Sequence, residues 1–539
     1  MATAYHPVND THSEGERLHS YYGKVSDNFG ERVHARLNDF GFNKLHEDAL
    51  LIAEHFSAIR KHNEVGDMFN PNRLRDFGHF LQSKNIDSAS GQARTLAALN
   101  ADMLLVQGFI NNQYSNYIAG LNSQTGRPAP GKELSADIPL CDFDDLLNLV
   151  SEKSEEAPNG QGVNLEVLAI LATSYYVELE DQLSERGDPT KLLKLVYATK
   201  AICAPFAEIT GFDGLAMGLN SLADRIQLES KLEPETYGAI HNQAKQMIDS
   251  LGSPESIAGR VTDVLDGFGV DSVADVTLPS GSGHSVKYGI GTWEAADLGM
   301  SELSQRLVWR VKSLGSLMKR LHRIKTSDTE NKNAAPTDVL AMTLVTKSVE
   351  QSAILLQQMA ATIVDSDSPQ YIGVASPKRN KFVHVQGSKE YLDAVKNSVS
   401  PEVWDLVHDE DTDSGFEVSK VTFHHRTSRY TASGALEDDI VPVEIQILTE
   451  RARIASRIEE PSHTIYKAGK LPKERVGNLV NIIQKLHTRR REMKNGEPTT
   501  QSLERGDKDL RQIKQQQPRR LGWSALKKRP PSEPPRHRA

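Results

Sequence analysis

Between Val33 and Leu232 apolar residues recur at steps of three and four, the spacing that lays them along one face of an α-helix. In Leu45–Ile59 and Gln92–Ile110, Leu, Ala, Ile and Met share such a stripe, and the signal returns at Leu165–Leu183 and Thr190–Ile202. Segments rich in Gly, Pro and Ser at Ser123–Pro139 and around Ser154–Gly162 interrupt it as loops. A long amphipathic pattern without strand signal predicts an all-helical domain over residues 31–200, preceded by a polar, flexible arm at residues 1–30.

Downstream the period changes. Asp338–Val345 and Val441–Thr449 are short β-branched runs, and Asp271–Leu278 is a third candidate strand. Helical stretches are expected between them at Met300–Lys325 and Ser348–Ile363. Strands alternating with helices predict a mixed-sheet α/β domain over residues 271–470, reached through a helical linker at 201–270. One more amphipathic helix is expected at 471–494. Residues 495–539, with Gln515–Gln517 and a Pro-rich end, read as a basic disordered tail. The expected fold class is therefore α+β, a helical first half followed by a mixed-sheet domain.

Composition adds the partners. The formal net charge of -9 conceals an asymmetry: residues 487–539 carry 15 Lys/Arg against 6 Asp/Glu, a local +9 that leaves -18 on the rest. Such a tail suits salt-sensitive contact with RNA or the ribosome through phosphates, with Trp523 as a stacking aromatic, or else simply solubilises the chain. Two distant cysteines, Cys141 and Cys203, exclude a zinc ribbon or a disulfide scaffold. No basic and apolar leader opens the sequence and no 18-residue apolar run occurs. The expectation is a cytoplasmic protein without a membrane span.

Three features carry candidate chemistry. Arg310, Lys312, Ser316, Lys319 and Arg320 lie where a loop is expected to enter a helix, a cradle for polyphosphate. The same residues would also make a solvated basic face. Asp338 heads an apolar strand, a usual place for an Mg²⁺ ligand as well as for a turn residue. In Val443–Thr449 alternation puts Glu444, Gln446 and Leu448 on one face and Val443, Ile445 and Ile447 on the other. Glu444 would then look into a cleft, where it could hold Mg²⁺ or accept a proton, unless the segment is an edge strand with a polar outer face.

Taken in order, R-x-K-x3-S-x2-(K/R)2, the strand Asp, V-E-I-Q-I-x-T and Ser462-His463-Thr464-Ile465-Tyr466-Lys467 resemble the synthetase domain of the RelA/SpoT homologue family. Upstream, Ile202–Ala207, Gly211-Phe212, Leu215 and Leu232–Tyr237 resemble the helical linker of its long members, so the likeness spans about residues 165–470. The resemblance implies a nucleotide pyrophosphokinase that moves the β,γ-pyrophosphate of ATP to the 3′-hydroxyl of GDP or GTP, making (p)ppGpp with Mg²⁺. It assigns the metal to Asp338 and Glu444, with Glu444 orienting metal or activating the hydroxyl. It assigns ATP phosphates to Arg310, Lys312, Ser316, Lys319 and Arg320, and the acceptor side of the cleft to Gln446, His463 and Lys467.

The sequence also departs from that pattern. Thr343 and Leu448 stand where the family carries Arg, and each lost cation–phosphate contact is worth about 1.5–3 kcal/mol. The guanine-stacking segment matches either Gly415–Lys420, with Phe416 as the aromatic and Lys420 replacing His, or Pro377–His384. The helical half takes the place of the long members' Mn²⁺-dependent hydrolase domain. Its His–Asp pair falls on Ala101-Asp102, leaving His46, Asp102 and Asp181 as a degenerate metal site. No counterpart of the long members' C-terminal regulatory domains is expected in residues 471–539. These departures keep two rivals open: an inactive nucleotide-binding regulator, and pyrophosphate transfer to an adenosine nucleotide or tRNA.

Overall fold

The computed structural model describes residues 31–33, 35–37, 40, 51–52, 55, 72–125, 138, 141, 143–151, 162–185, 189–210, 212–276, 287–326, 336, 338–365, 370–374, 381–412, 417–430, 436–450 and 452–453. The first half is helical, as the periodicity predicts. Helices α1 (Asn72–Ser83), α2 (Gly91–Thr125), α3 (Phe143–Val150), α4 (Leu165–Glu185), α5 (Pro189–Ala198), α6 (Ala204–Ile209) and α7 (Asp213–Lys231) follow in order. α2 buries Ala93, Leu96, Ala97, Leu99, Met103, Val106 and Ile110, one stripe at three- and four-residue steps. It extends to Thr125, past the start of the loop expected at Ser123.

α4 is buried all round through Val177, Glu166, Thr173 and Ser174 included, and is the central rod of this core. Its N-terminus is fixed twice. The Asn164 side chain accepts from the Glu166 amide at 2.7 Å, and the Asn164 amide donates to Asp102 on α2 at 2.9 Å. Between α5 and α6 one π-turn at Thr199–Cys203 interrupts the helix and directs Lys200 at α7.

Two further helices, α8 (Pro234–Asp249) and α9 (Pro254–Asp266), lead into the sheet. The apolar core of the first half runs to Ile226 and a second core begins at Leu228, so the division falls inside α7. Strands β1 (Asp271–Val276), β2 (Tyr288–Ala295) and β3 (Met300–Val311) precede α10 (Leu314–Thr326). β4 (Leu340–Thr346), α11 (Val349–Val364), β5 (Tyr371–Gly373), β6 (Val383–Gly387), α12 (Lys389–Ser398) and α13 (Pro401–Trp404) come next, then β7 (Val407–Asp411), β8 (Val418–Tyr430) and β9 (Leu436–Thr449).

Among the described residues the strands form one nine-stranded mixed sheet in the order β1-β2-β3-β4-β9-β8-β6-β7, with β5 on β8 beyond the end of β6. Among the described strands only the β4–β9 and β6–β7 pairs are parallel. One face is apolar: Trp309, Leu340, Met342, Leu344, Val443, Ile445, Ile447, Val421 and Phe423 are buried there. α9, α11 and α12 pack on the sheet, and α10 packs against α7 and α8.

Two expectations need correction. Met300–Lys325 is not one helix: its first half is β3, which forms a hairpin with β2 across Gly299, whose φ of 75° suits glycine. Leu307, Trp309 and Val311 alternate inward along it, and cross-strand pairing prevails over the helical spacing. β9 is not an edge strand either, because β4 and β8 flank it. No helix among the described residues is long and apolar enough to cross a membrane.

Candidate active site

The register of the sheet sorts its second face into rungs. Residues paired directly across neighbouring strands point the same way. Arg310 on β3 is therefore level with Ala341, Glu444 and Thr422, and the next rung reads Val308, Thr343, Gln446, Lys420, His384 and His408. This face carries polar and charged groups over its central strands. The apolar set of Val443, Ile445 and Ile447 packs away from it, as alternation predicts.

The cationic segment straddles the end of β3 and the start of α10. Arg310 is the penultimate residue of the strand and is exposed, Lys312 sits in the connection, and Ser316, Lys319 and Arg320 ride on the first two turns of the helix. Lys312 donates its amide to the Val339 carbonyl at 2.9 Å and its ammonium to Asp338 Oδ2. This docks the β3–α10 connection on the head of β4. Asp338 is partly buried, 29% exposed at its side chain, and its Oδ1 has no hydrogen-bond partner. Burial alone would raise its pKa. The Lys312 charge and hydrogen bond, aided by Arg320 and Arg310, outweigh burial and hold it below the ordinary carboxylate range. A buried acceptor without a donor, paired with Lys312 and within electrostatic reach of Arg320 and Arg310, is an arrangement that suits a cation–phosphate complex.

Glu444 is half-buried one strand away on β9, where Gln446 Nε2 donates to its Oε1 at 2.7 Å. Gln446 is itself buried, so this bond fixes the orientation of the carboxylate. The structure thus brings Asp338, Arg310, Lys312 and Arg320 together and puts Glu444 and Gln446 on the adjacent parallel strand.

Ser316 and Lys319 are turned to other partners. Ser313 Oγ donates to Ser316 Oγ at 3.0 Å. Lys319 reaches Asp224 on α7 at 3.4 Å, and Lys200 from the π-turn holds the same Asp224 oxygen at 2.6 Å and Gln227 at 2.7 Å. Burial lowers the Lys200 pKa, against the pull of Asp224. The amide of Gly315 donates to Ser221 Oγ at 3.1 Å, so α10 is anchored on the helical half at two points. Lys319 is therefore part of the docking between the two halves.

Thr343, where the resemblance would have Arg, lies between Val308 and Gln446 on the polar face. Leu448 follows the alternation to that face yet is buried, in a small cluster with Val418 and Ala452. Lys420 is directly across from Gln446 and restores a cation to the rung that Thr343 leaves neutral. His424 was missed by sequence reasoning. It lies two positions beyond Thr422 on the same face, with burial lowering its pKa. Only the register of β8 reveals it, since no motif marks that strand. Phe416, His463 and Lys467 lie outside the described residues, as does His46.

Of the degenerate metal set read from the sequence, the two described carboxylates have structural partners. Asp102 is fully buried and its Oδ2 is used to hold the Asn164 amide. Asp181 pairs with Arg32 at 2.7 Å, and the adjacent Glu180 pairs with Arg36 at 3.2 Å. An Arg on a carboxylate takes the place that a cation would need. Compared with known proteins, the chain matches no family model and no curated protein at a significant level.

Proposed function

We propose that the sheet domain is a nucleotide pyrophosphokinase, transferring the β,γ-pyrophosphate of ATP to the 3′-hydroxyl of a guanosine nucleotide. The observation that carries this reading is the convergence of Lys312, Arg310 and Arg320 on the partly buried Asp338, beside the strand that carries Glu444. The motif order along the sequence, R-x-K to strand Asp to E-x-Q-I, supports it independently of the geometry.

The residues fit a magnesium ion. Asp338 offers the unpartnered Oδ1, and Glu444 offers a second carboxylate from the neighbouring strand. When bound, Mg²⁺ would offset the charge of the transferring phosphates. The chain's own groups do the rest. Arg310, Lys312 and Arg320 bind the triphosphate and exclude alternative placements of it, which is most of what phosphoryl-type transfer asks of a protein. Glu444, oriented by Gln446, accepts the proton from the attacking hydroxyl. The new bond joins the acceptor 3′-oxygen to the β-phosphorus, and the bond between that phosphorus and the α-bridging oxygen breaks with departure of AMP.

Lys420 offsets part of the cationic deficit left by Thr343 and Leu448 and fits an acceptor carrying a 5′-di- or triphosphate. The helical half, with its carboxylates engaged by arginine and a backbone amide, serves as a structural or regulatory platform. The test is a transfer assay with γ-labelled ATP and Mg²⁺, offering GDP, GTP, AMP, ADP and tRNA separately. Label on GDP or GTP, lost in Asp338→Asn and Glu444→Gln, is the expected result. Label on another acceptor would reassign the substrate, and no label on any acceptor from protein that binds ATP would leave a regulatory nucleotide-binding protein.

A further inference from the structure

At the other end of the same sheet face, two imidazoles and a carboxylate from neighbouring strands meet. His384 on β6 is paired directly with His408 on β7, and Glu410 follows two residues along β7 on the same face. Their donor atoms all lie within 4.8 Å of one another. His384 Nε2 and Glu410 Oε2 are 3.1 Å apart, and the two imidazole rings have centroids 5.6 Å apart. His384 is buried and held between β8 and β7, while His408 and Glu410 are half-buried on the outermost strand.

We propose that His384, His408 and Glu410 form a site for a divalent transition metal of the zinc class. A tetrahedral ion with bonds of about 2.0–2.1 Å needs donors roughly 3.4 Å apart. The His384–Glu410 pair already meets that spacing, and a rotamer adjustment of His408 closes the rest. Two nitrogen donors select zinc, cobalt or nickel over magnesium or calcium, which prefer all-oxygen sites. The metal would take the place of the proton shared by His384 and Glu410, so its binding releases protons and weakens in acid.

Guarding an open sheet edge against pairing accounts for Asp409 and Asp411, which are exposed on the opposite parity of β7. It does not account for two histidines and a glutamate gathered on the other side. Lys420, across β6 from His408, opposes a cation electrostatically, so affinity in the micromolar rather than the nanomolar range is expected. The site is about 10–14 Å from Gln446, two to three strand spacings away, and does not depend on the pyrophosphokinase reading.

The experiment is a calorimetric Zn²⁺ titration of the full chain in excess Mg²⁺, which occupies any all-oxygen site, with Co²⁺ absorption as a second readout. The expected result is saturable Zn²⁺ binding with a d–d spectrum of low coordination number for Co²⁺. His408→Ala and Glu410→Gln should weaken both at least 10-fold, whereas Asp409→Asn should leave them unchanged. Glu410→Gln is isosteric and half-exposed, so its far-ultraviolet dichroism should match the wild type. Absence of saturable binding to the wild-type chain would overturn the proposal. So would equal loss in all three variants, which would indicate only the general acidity of β7, or no loss in any of them.

Discussion

Gly315 stands at the second position of α10, where the cationic segment docks on the helical half. A Cβ added there would lie 2.1 Å from the Ser221 carbonyl oxygen, 2.8 Å from its carbon and 2.9 Å from its Cα. All three are backbone atoms of α7, so no side-chain rotation relieves the overlap. Gly315→Ala therefore sets two effects against each other. Helix propensity favours Ala by at most about 1 kcal/mol. Overpacking against a fixed backbone costs about 1–3 kcal/mol. Separating the helices also strains the Gly315–Ser221 hydrogen bond, worth about 1 kcal/mol. The balance is a net destabilisation of about 1–3 kcal/mol. Urea unfolding followed by tryptophan fluorescence reads it, because Trp293 and Trp309 are fully buried in the second core. Since α10 carries Arg320 and follows directly on Lys312, the proposed function further predicts weaker ATP binding in the same variant. Ser221→Ala, which removes only the hydrogen bond, should cost about 1 kcal/mol. A Gly315→Ala chain as stable as the wild type, or more so, would refute the close docking of α10 on α7.

Lys312→Met should destabilise the chain by about 1–3 kcal/mol in urea, below the cost of breaking a fully buried pair because Arg310 and Arg320 still face Asp338. The Asp338 carboxyl titrates lower folded than unfolded. Its contribution is thus full above the unfolded pKa and disappears as pH falls through the folded one, so Asp338→Asn should flatten the stability curve below about pH 4. Lys200→Met should be destabilising and should loosen α10 through Asp224, seen as faster amide exchange in both α7 and α10; exchange confined to the π-turn would contradict that coupling.

The parts of the fold legible in the sequence are those whose period matches their burial. α2 and α11 show clear helical stripes, and β4 and β9 show short β-branched runs that end up in the centre of the sheet. β3 was hidden because Met300, Leu303, Leu307, Val311 and Leu314 also satisfy a helical step; only pairing with β2 and β4 decides against it. β6 and β7 were hidden for another reason. Their positions on the polar face are His384, Gln386, His408 and Glu410, and β7 adds Asp409 and Asp411 on the other face, so hydrophobicity marks little of two very short strands. The candidate site divides in the same way. Asp338, Glu444 and the Arg310–Arg320 segment could be read from local order, whereas Lys420 and His424 reach the site through a register that spans β8 and β9. Asp102 and Asp181, read from the sequence as remnants of a metal site, have structural partners in Asn164 and Arg32.

The central claim is that this sheet moves pyrophosphate rather than phosphate, and one quantified reaction decides it. The chain is incubated with ATP, GDP and Mg²⁺, and all nucleotides are resolved by ion exchange and mass. The account predicts AMP and a guanosine product heavier by a pyrophosphate in equal amounts, both absent with Asp338→Asn. Formation of ADP with GTP, or unchanged nucleotides in the presence of chain that binds ATP, would contradict it.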